Sequence, residues 1–299
     1  MTNGLDASFA GIAERLLRST VQVYADNRGG GCGVVWSDSG AIITNAHVVG
    51  SARHVWIESH DGRKIRGEVA LRDDRLDLAE VALNAGESDA IGASIGRAGD
   101  LRVGDLVAAL GAPLGMAGAL TVGIVHRAPT DRNGLRSRWL EADLRLAPGN
   151  SGGPMVDARG KVVGINSMIA GGLALAIPSE TAERFVQTRG ARAWLGITTQ
   201  PVAVDDAAKA GKNDERGTGL GFVIVDLAAG SPAHRAGLAL GDVILGIGGS
   251  RFERLEALGI ALEGIAPGDR IDIETMRGRH VRTTSVVTGR LTARVDRAA

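Results

Sequence analysis

The sequence predicts a mainly β protein with a small α+β domain at its C-terminal end. Between residues 21 and 177, short segments rich in β-branched and apolar residues alternate with glycine-rich turns. Many short strands at this spacing are typical of an all-β sandwich or barrel, or of a pair of barrels. After Gly190 the pattern changes to strands that alternate with short helices. A chain of 299 residues is long enough for both domains.

The elements of the first domain follow from local patterns. The first twenty residues predict a short amphipathic helix and contain no apolar stretch of the kind found in a signal peptide. A second helix is predicted over 179–188, with Ser179 as its N-cap. Between them, alternating and β-branched segments predict strands at 21–25, 33–37, 41–45, 55–58, 64–70, 78–83, 106–110, 120–127, 139–144, 162–167 and 173–177.

The second domain has fewer elements. The pair Ser231-Pro232 predicts the cap and first residue of a short helix, and a longer helix is predicted over 252–263. Its predicted strands are 194–200, 221–227, 242–247, 271–276 and 281–287. We therefore divide the chain into an N-terminal segment (1–20), a first domain (21–190), a second domain (191–289) and a polar, frayed tail (290–299).

Composition excludes several classes of function. The formal net charge is zero and aromatic residues make up 3% of the chain, which argues against nucleic acid as a partner. The single cysteine, Cys32, excludes an intrachain disulfide, and its glycine-rich surroundings favour a structural role over that of a second nucleophile. The sequence contains no phosphate loop, cofactor fingerprint or metal-ligand spacing, so we predict neither cofactor nor metal.

One segment resembles a membrane span. Residues 106–125 contain no charge, but glycines and a proline at 111–115 interrupt the apolar run. Two buried strands joined by a tight turn explain it better. As written, without a leader, the chain is expected to be cytoplasmic.

Two segments carry the residues of a nucleophilic site. Ser151 lies in a glycine-rich turn whose backbone amides can point outward, and His47 follows a β-branched strand. A serine hydroxyl becomes nucleophilic when a neighbouring base takes its proton, and a neutral imidazole serves as that base near pH 7. Backbone amides beside the serine can stabilise the oxyanion that forms. The combination predicts acyl transfer.

The imidazole needs a carboxylate that fixes its tautomer and stabilises its cation. Three candidates lie close together in the sequence. Asp73 and Asp74 stand among charged residues and are expected to be solvated, whereas Asp77 lies between leucines at the start of a strand. We therefore assign Asp77. The order His47, Asp77, Ser151 is that of chymotrypsin-type proteases.

The surrounding motifs extend this pattern. They are TNAHVV at 44–49, DLA at 77–79, GAPLG at 111–115, PGNSGGP at 148–154, GIN at 164–166 and AIP at 176–178. Together they closely resemble the HtrA/Deg family of chymotrypsin-like serine proteases, which carry a C-terminal PDZ domain. The resemblance covers nearly the whole chain. It implies a double β-barrel for 21–190, with the triad in the cleft between the barrels, followed by a PDZ domain at 191–289.

The resemblance also implies roles for further residues. The oxyanion hole would be formed in the turn Gly149, Asn150 and Ser151, from the backbone N–H groups of its first and last residue. Asn150 cannot form the ion pair that activates trypsin-like zymogens, so activation by cleavage is not expected. The primary specificity pocket would be lined by Leu146 and Ile169, which favour aliphatic residues before the scissile bond, and by Arg145. We expect the arginine stem to lie along the wall with its guanidinium in water.

In the second domain, the segment Trp194, Leu195, Gly196 and Ile197 resembles the carboxylate-binding loop and edge strand of the family's PDZ domain. An edge strand beside a helix captures a C-terminal peptide by β-augmentation. The sequence GLGF at 219–222 spells the binding loop of ordinary PDZ domains, but it stands too close to Ser231 and is interpreted as a core strand.

The family's partners and location become expectations here. They are unfolded protein substrates, C-terminal peptides, and a homotrimer built through the N-terminal segment 5–17, with Phe9 at the candidate interface. Because the family usually works in the cell envelope, a periplasmic location is expected if a leader was omitted. Two alternatives stay open. One is a catalytically inactive PDZ scaffold, and the other is an α/β-hydrolase, whose nucleophile elbow also matches Gly149–Gly153 but needs a helix after the serine.

Overall fold

The computed structural model describes residues 3–25, 30–37, 40–83, 91–112, 115, 118–129, 137–205, 218–263 and 265–291. It divides into two compact units that separate between Gly190 and Ala191. The first unit contains two closed six-stranded barrels, which confirms the predicted double β-barrel.

The first barrel follows α1 (Asn3–Ser19) and is antiparallel throughout, in the order β1-β2-β3-β6-β5-β4. Apolar residues of alternating strand positions, such as Val23, Ile42 and Ile57, fill its core. A single helical turn, α2 (Ala46–Val49), follows the third strand. The strands are β1 (Thr20–Tyr24), β2 (Gly30–Val35), β3 (Ile42–Thr44), β4 (His54–Glu58), β5 (Lys64–Asp73) and β6 (Leu78–Ala82).

The second barrel repeats this closure in the order β10-β11-β12-β9-β8-β7. Helix α3 (Ser179–Gln187) follows its last strand. Residues 106–125 contribute the antiparallel pair β7 and β8, as predicted, although 113, 114, 116 and 117 lie outside the described residues. The strands are β7 (Leu106–Gly111), β8 (Ala119–Arg127), β9 (Leu140–Asp143), β10 (Pro154–Asp157), β11 (Val162–Ala170) and β12 (Leu173–Pro178). None of the helices in the described ranges has the length and apolar composition needed to cross a membrane.

Helix α1 packs on its own chain. Ile12 and Leu16 are buried in the hydrophobic cluster that joins the two barrels, and Phe9 packs against the same cluster. Ile12 and Leu16 are thus buried within the unit, whereas Phe9 and Leu17 are only partly buried, and the trimer interface at 5–17 stays a prediction. The side chains of residues 3–8 lie outside the described part.

The second unit is an open sheet with two short helices, α4 (Pro232–Arg235) and α5 (Ala257–Glu263). The strand order is β14-β15-β16-β18-β19, with β17 paired to β16 and a separate pair β13-β20. Phe222 and Phe252 meet edge to face in its core, with ring centroids 5.1 Å apart. The strands are β13 (Arg192–Trp194), β14 (Ile197–Asp205), β15 (Thr218–Leu227), β16 (Val243–Ile247), β17 (Ser250–Arg251), β18 (Arg270–Arg277), β19 (His280–Val287) and β20 (Gly289–Leu291).

Three local predictions are wrong, and the short strands β10 and β17 were not predicted. The four residues of β10 follow the glycines of the Ser151 turn too closely to show a pattern. Ser179 is not an N-cap: Pro178 occupies that position, and the Ser179 hydroxyl instead donates to Gly96 O at 2.9 Å. The helix predicted from residue 252 begins at Ala257, because Phe252 is buried in the core. The start of the predicted frayed tail forms β20.

Candidate active site

His47 is presented by the single turn α2. Val48 and Val49 on this turn are buried in the first barrel, whereas the His47 side chain is 49% exposed. Asn45, just before the turn, donates from its Nδ2 to Asp77 O at 2.9 Å. The burial of the two valines and this bond fix the turn, so the imidazole projects beside the backbone of residue 77.

Asp77 lies at the end of the loop between β5 and β6. Its φ of 56° is left-handed, a conformation that aspartate tolerates better than most residues. Asp73 shapes this loop by accepting the N–H groups of Arg75 (2.9 Å) and Leu76 (3.1 Å). The expectation that Asp73 is solvated is therefore wrong, since the residue is 3% exposed. Asp74 does lie at the surface, paired with Arg72.

The second barrel also contacts this loop. The guanidinium of Arg138, just before β9, donates to Arg75 O and lies over the Trp139 ring, 5.1 Å from its centroid. Trp139 in turn packs against the cluster between the barrels. The segment that presents Asp77 is thus held from both sides of the cleft.

The carboxylate of Asp77 accepts hydrogen bonds from the histidine and from a serine. Nδ1 of His47 lies 2.9 Å from both carboxylate oxygens, and the His47 backbone N–H donates to Oδ1 at 3.1 Å. Ser167 Oγ donates to Oδ2 at 2.7 Å. Burial raises the pKa of Asp77, but the bonds from His47 and Ser167 outweigh it and lower the pKa below its ordinary value of 3.8. The charged form is therefore the one that this site favours.

The Ser151 loop is a tight glycine-rich turn. Asn150 N–H donates to Ala147 O at 3.0 Å, and Gly149 has a φ of 103°, the left-handed value that the third position of such a turn requires. A Cβ at Gly152 would meet the carbonyl oxygen of Cys32. The loop therefore packs directly on β2, and this close packing requires glycine at position 152, directly after Ser151.

Among residues 149–151, the backbone N–H groups of Gly149 and Ser151 have no hydrogen-bond partner in the described part of the chain. They are the two donors expected of an oxyanion hole. Asn150 lies between them, but its N–H is already bonded to Ala147 O and is not available as a third donor.

The hydroxyl of Ser151 donates to Ser167 O at 3.0 Å. Within the described ranges no hydrogen bond joins it to His47. Ser167 thus contacts both Ser151 and Asp77, and sequence reasoning missed it. It sits where the pairing of β11 with β12 shifts register, between Asn166 and Met168. Such a bulge turns a side chain and a carbonyl out of the regular ladder, and no single residue type signals it.

The three residues of the predicted specificity pocket lie in different environments. Leu146 is 8% exposed in the core of the second barrel, and Ile169, on β11, is 53% exposed. Arg145 is exposed.

The predicted peptide-binding segment spans a junction in the second unit. Trp194 ends β13, Ile197 begins β14, and β14 is the edge strand of the sheet. The carbonyls of Leu195 and Gly196 accept the N–H groups of Ala233 (3.0 Å) and Ala228 (2.9 Å), while their own N–H groups have no partner among the described residues.

Glycine is required at the centre of this segment. Gly196 has a φ of 77°, and a Cβ there would meet the Ser231 side chain. The competing motif at 219–222 lies in β15, an interior strand, as the sequence indicated.

The fold and the site define a class of protein. Two closed β-barrels with a His–Asp pair beside a serine turn are the arrangement of chymotrypsin-like serine peptidases, and β10 rather than a helix follows Ser151. The α/β-hydrolase alternative is therefore wrong. Residues 31–165 match the trypsin-like peptidase domain, and residues 193–288 match the PDZ domain.

Relatives place the chain more closely. It is 33% identical over 279 residues to a probable periplasmic serine endoprotease DegP-like of Halomonas elongata, covering 88% of this chain and 57% of that protein. It is 31% identical over 280 residues to the putative serine protease HhoA of Synechocystis, covering 88% and 71%. The chain thus spans little more than half the length of the DegP-like relatives. Among solved structures, the HtrA-type protease AlgW with a tripeptide matches with a TM-score of 0.72 and 26% identity, covering 95% of this chain and 98% of that one. The chain belongs to the HtrA family of serine proteases.

Proposed function

We propose that the chain is a serine endopeptidase that cleaves unfolded or misfolded proteins, with a PDZ domain that binds C-terminal peptides and regulates cleavage. The observation that carries the proposal is the Asp77 carboxylate 2.9 Å from His47 Nδ1, in the same unit as the Ser151 turn, where the Gly149 and Ser151 amides have no partner among the described residues. This bond leaves Nε2 of the imidazole available to accept a proton.

The reaction then follows from these groups. The Ser151 hydroxyl turns from Ser167 O towards His47 and attacks the scissile carbonyl carbon while His47 takes its proton. The oxyanion that forms accepts hydrogen bonds from the N–H groups of Gly149 and Ser151. His47 returns the proton to the leaving nitrogen, which breaks the peptide bond and leaves an acyl-Ser151 ester. Water, deprotonated by His47, hydrolyses the ester by the same steps in reverse.

Digestion of denatured casein by the purified protein and by Ser151→Ala tests the proposal. The alternative of an inactive PDZ scaffold predicts no digestion by either protein. If the natural protein does not digest casein but still binds C-terminal peptides, the inactive PDZ scaffold is the correct alternative.

We expect the second unit to bind peptides through their terminal carboxylate. The free N–H groups of Leu195 and Gly196 and the unpaired edge of β14 supply donors for the carboxylate and for an added strand. An apolar C-terminal peptide should bind the full chain about ten- to a hundredfold more tightly than the same peptide with an amidated end, because bonds to a charged group are stronger than neutral ones. Fluorescence anisotropy measures this ratio. Equal affinities would contradict the assignment of this segment.

The proposed cleavage preference is for small or medium aliphatic residues just before the scissile bond. Burial of such a side chain against Leu146 and Ile169 contributes about 1.5–3 kcal/mol. Because Arg145 is exposed, we expect its guanidinium to reach water and not to line the pocket, so Arg145→Ala should keep the same preference. Mass spectrometry of cut sites in a denatured protein checks both statements. Cleavage mainly after Lys or Arg contradicts an apolar pocket, and cleavage after Asp or Glu that is lost in Arg145→Ala contradicts an outward arginine.

The location and assembly are proposed from the relatives. The DegP-like relatives are named periplasmic, which supports the cell envelope and gives the cytoplasmic expectation no support. A homotrimer remains the proposed assembly on family resemblance. The N-terminal segment 5–17, in which Phe9 and Leu17 are partly exposed, is its candidate interface.

A further inference from the structure

Cys32 contacts the nucleophile loop from the first barrel. Its Sγ–H donates to Gly149 O at 3.2 Å, and its backbone N–H donates to Ser151 O at 2.7 Å. Thr44 Oγ1 donates to Cys32 O at 2.6 Å, which ties the cysteine to the strand that precedes His47. Cys32 therefore binds the carbonyls of Gly149 and Ser151, the two residues of the 149–151 turn whose N–H groups have no partner among the described residues.

These bonds fix the peptide groups on both sides of the Ser151 amide. The peptide between Gly149 and Asn150 is held at its oxygen by Cys32 Sγ and at its N–H by Ala147 O. The peptide between Ser151 and Gly152 is held at its oxygen by Cys32 N–H and at its N–H by Asn166 O, 2.8 Å away. Asn150 O, on the peptide between them, accepts Gly153 N–H at 3.0 Å. The Ser151 N–H consequently points away from these partners.

We propose that Cys32 is a positioning residue for the oxyanion hole. Its thiol holds the Gly149 carbonyl so that the amides of Gly149 and Ser151 face the substrate carbonyl. The inference rests on the proposed endopeptidase function and specifies one part of it. Cys32 contacts no reacting atom and acts through Gly149.

The Cys32 thiol is suited to donate a hydrogen bond and unsuited to act as a nucleophile. Cys32 is 1% exposed, and burial raises the pKa of its thiol to about 12. The sulfur therefore keeps its hydrogen at neutral pH, whereas a nucleophilic cysteine must lose it. A second donor to Gly149 O, the N–H of Ala112, is longer at 3.4 Å and does not replace the thiol.

Cys32→Ser and Cys32→Ala form a matched pair. Both remove the sulfur and leave a smaller side chain, and they differ by one hydroxyl, which is a better donor than a thiol. We expect Cys32→Ser to keep kcat for a peptide substrate within about twofold of the natural protein. Cys32→Ala should lower kcat about five- to tenfold with little change in KM, because one hydrogen bond is lost. A peptide aldehyde, which forms a tetrahedral oxyanion on Ser151, should lose affinity in Cys32→Ala by the same factor, while a product peptide should not.

A readout without turnover separates this inference from the proposed function. Amide hydrogen exchange over 147–153 in the unliganded protein should be faster in Cys32→Ala than in Cys32→Ser and the natural protein. Equal kcat and exchange in all three proteins overturn the inference, and so does an equal loss in both variants, which indicates lost packing. Absence of hydrolysis by the natural protein overturns the proposed function, while the exchange rates still decide the role of Cys32. Val35→Ala, on the same strand but in the barrel core, is the control for stability and should leave exchange over 147–153 unchanged.

Discussion

Replacement of Ser151 by alanine is expected to lower kcat for peptide and protein substrates by about 10⁴- to 10⁶-fold, the loss typical of a missing nucleophile in such triads. Alanine removes the oxygen that would bond to the substrate carbonyl, and it leaves the loop intact because the Ser151 backbone oxygen still accepts Cys32 N–H at 2.7 Å. Peptide hydrolysis at saturating substrate measures kcat. Labelling by a fluorophosphonate, which reacts with activated serines, should disappear in parallel.

The control for this experiment is Ser250→Ala. Ser250 is an exposed serine on β17 in the second unit, and its removal should leave hydrolysis and labelling unchanged. Peptide binding by the second unit should survive Ser151→Ala. Cleavage at an undiminished rate in Ser151→Ala would contradict the assignment, because the reaction would then proceed without the Ser151 hydroxyl.

The barrels were predictable because most of their strands carry a visible pattern. Segments such as 54–58 alternate exposed and buried residues, and β8 shows β-branched residues between turns, so their positions follow from periodicity. Strand β10 has only four residues next to a glycine turn, and Phe252 belongs to the core rather than to a helix. Contacts with residues distant in sequence determine both the strand β10 and the buried position of Phe252, so the local sequence pattern could not predict them.

The site was predictable in its residue types and not in its supporting contacts. A nucleophile, a base and a carboxylate are the residue types that acyl transfer needs, and the sequence offers them as Ser151, His47 and Asp77. In the structure a hydrogen bond joins His47 to Asp77. Ser167 reaches Asp77 from 90 positions away, and Cys32 reaches Gly149 from 117 positions away. Nothing local distinguishes such residues from ordinary core positions. The folded barrels bring these residues into contact, so only the structure shows which atoms they bind.

Replacement of Asp77 by asparagine should lower kcat by about 10⁴-fold while leaving the fold in place, as the loss of the orienting carboxylate does in such triads. The carboxylate accepts three donors, the His47 Nδ1–H, the His47 backbone N–H and the Ser167 hydroxyl. An amide offers one oxygen and places an NH₂ group where the other oxygen accepted, so the imidazole loses its tautomer or its orientation. Asparagine also tolerates the left-handed φ of 56°, which alanine does not.

Asp74→Asn is the matched control, since it removes the same charge from an exposed residue of the same loop. It should change kcat little. Near-natural activity in Asp77→Asn, or an equal loss in Asp74→Asn, would contradict the assigned role of Asp77.

Stability should follow the charge of Asp77. Because its pKa in the folded protein is lower than the ordinary 3.8, the folded state binds fewer protons than the unfolded state, and the carboxylate stabilises the first unit at pH values above 3.8. That contribution is lost as the pH falls through the lowered pKa. The difference in unfolding free energy between the natural protein and Asp77→Asn should therefore be constant near neutral pH and shrink below about pH 4, as linkage requires. Urea unfolding at a series of pH values measures it. A difference that stays unchanged down to pH 2 would mean that the asparagine acts through packing and that Asp77 carries no stabilising charge.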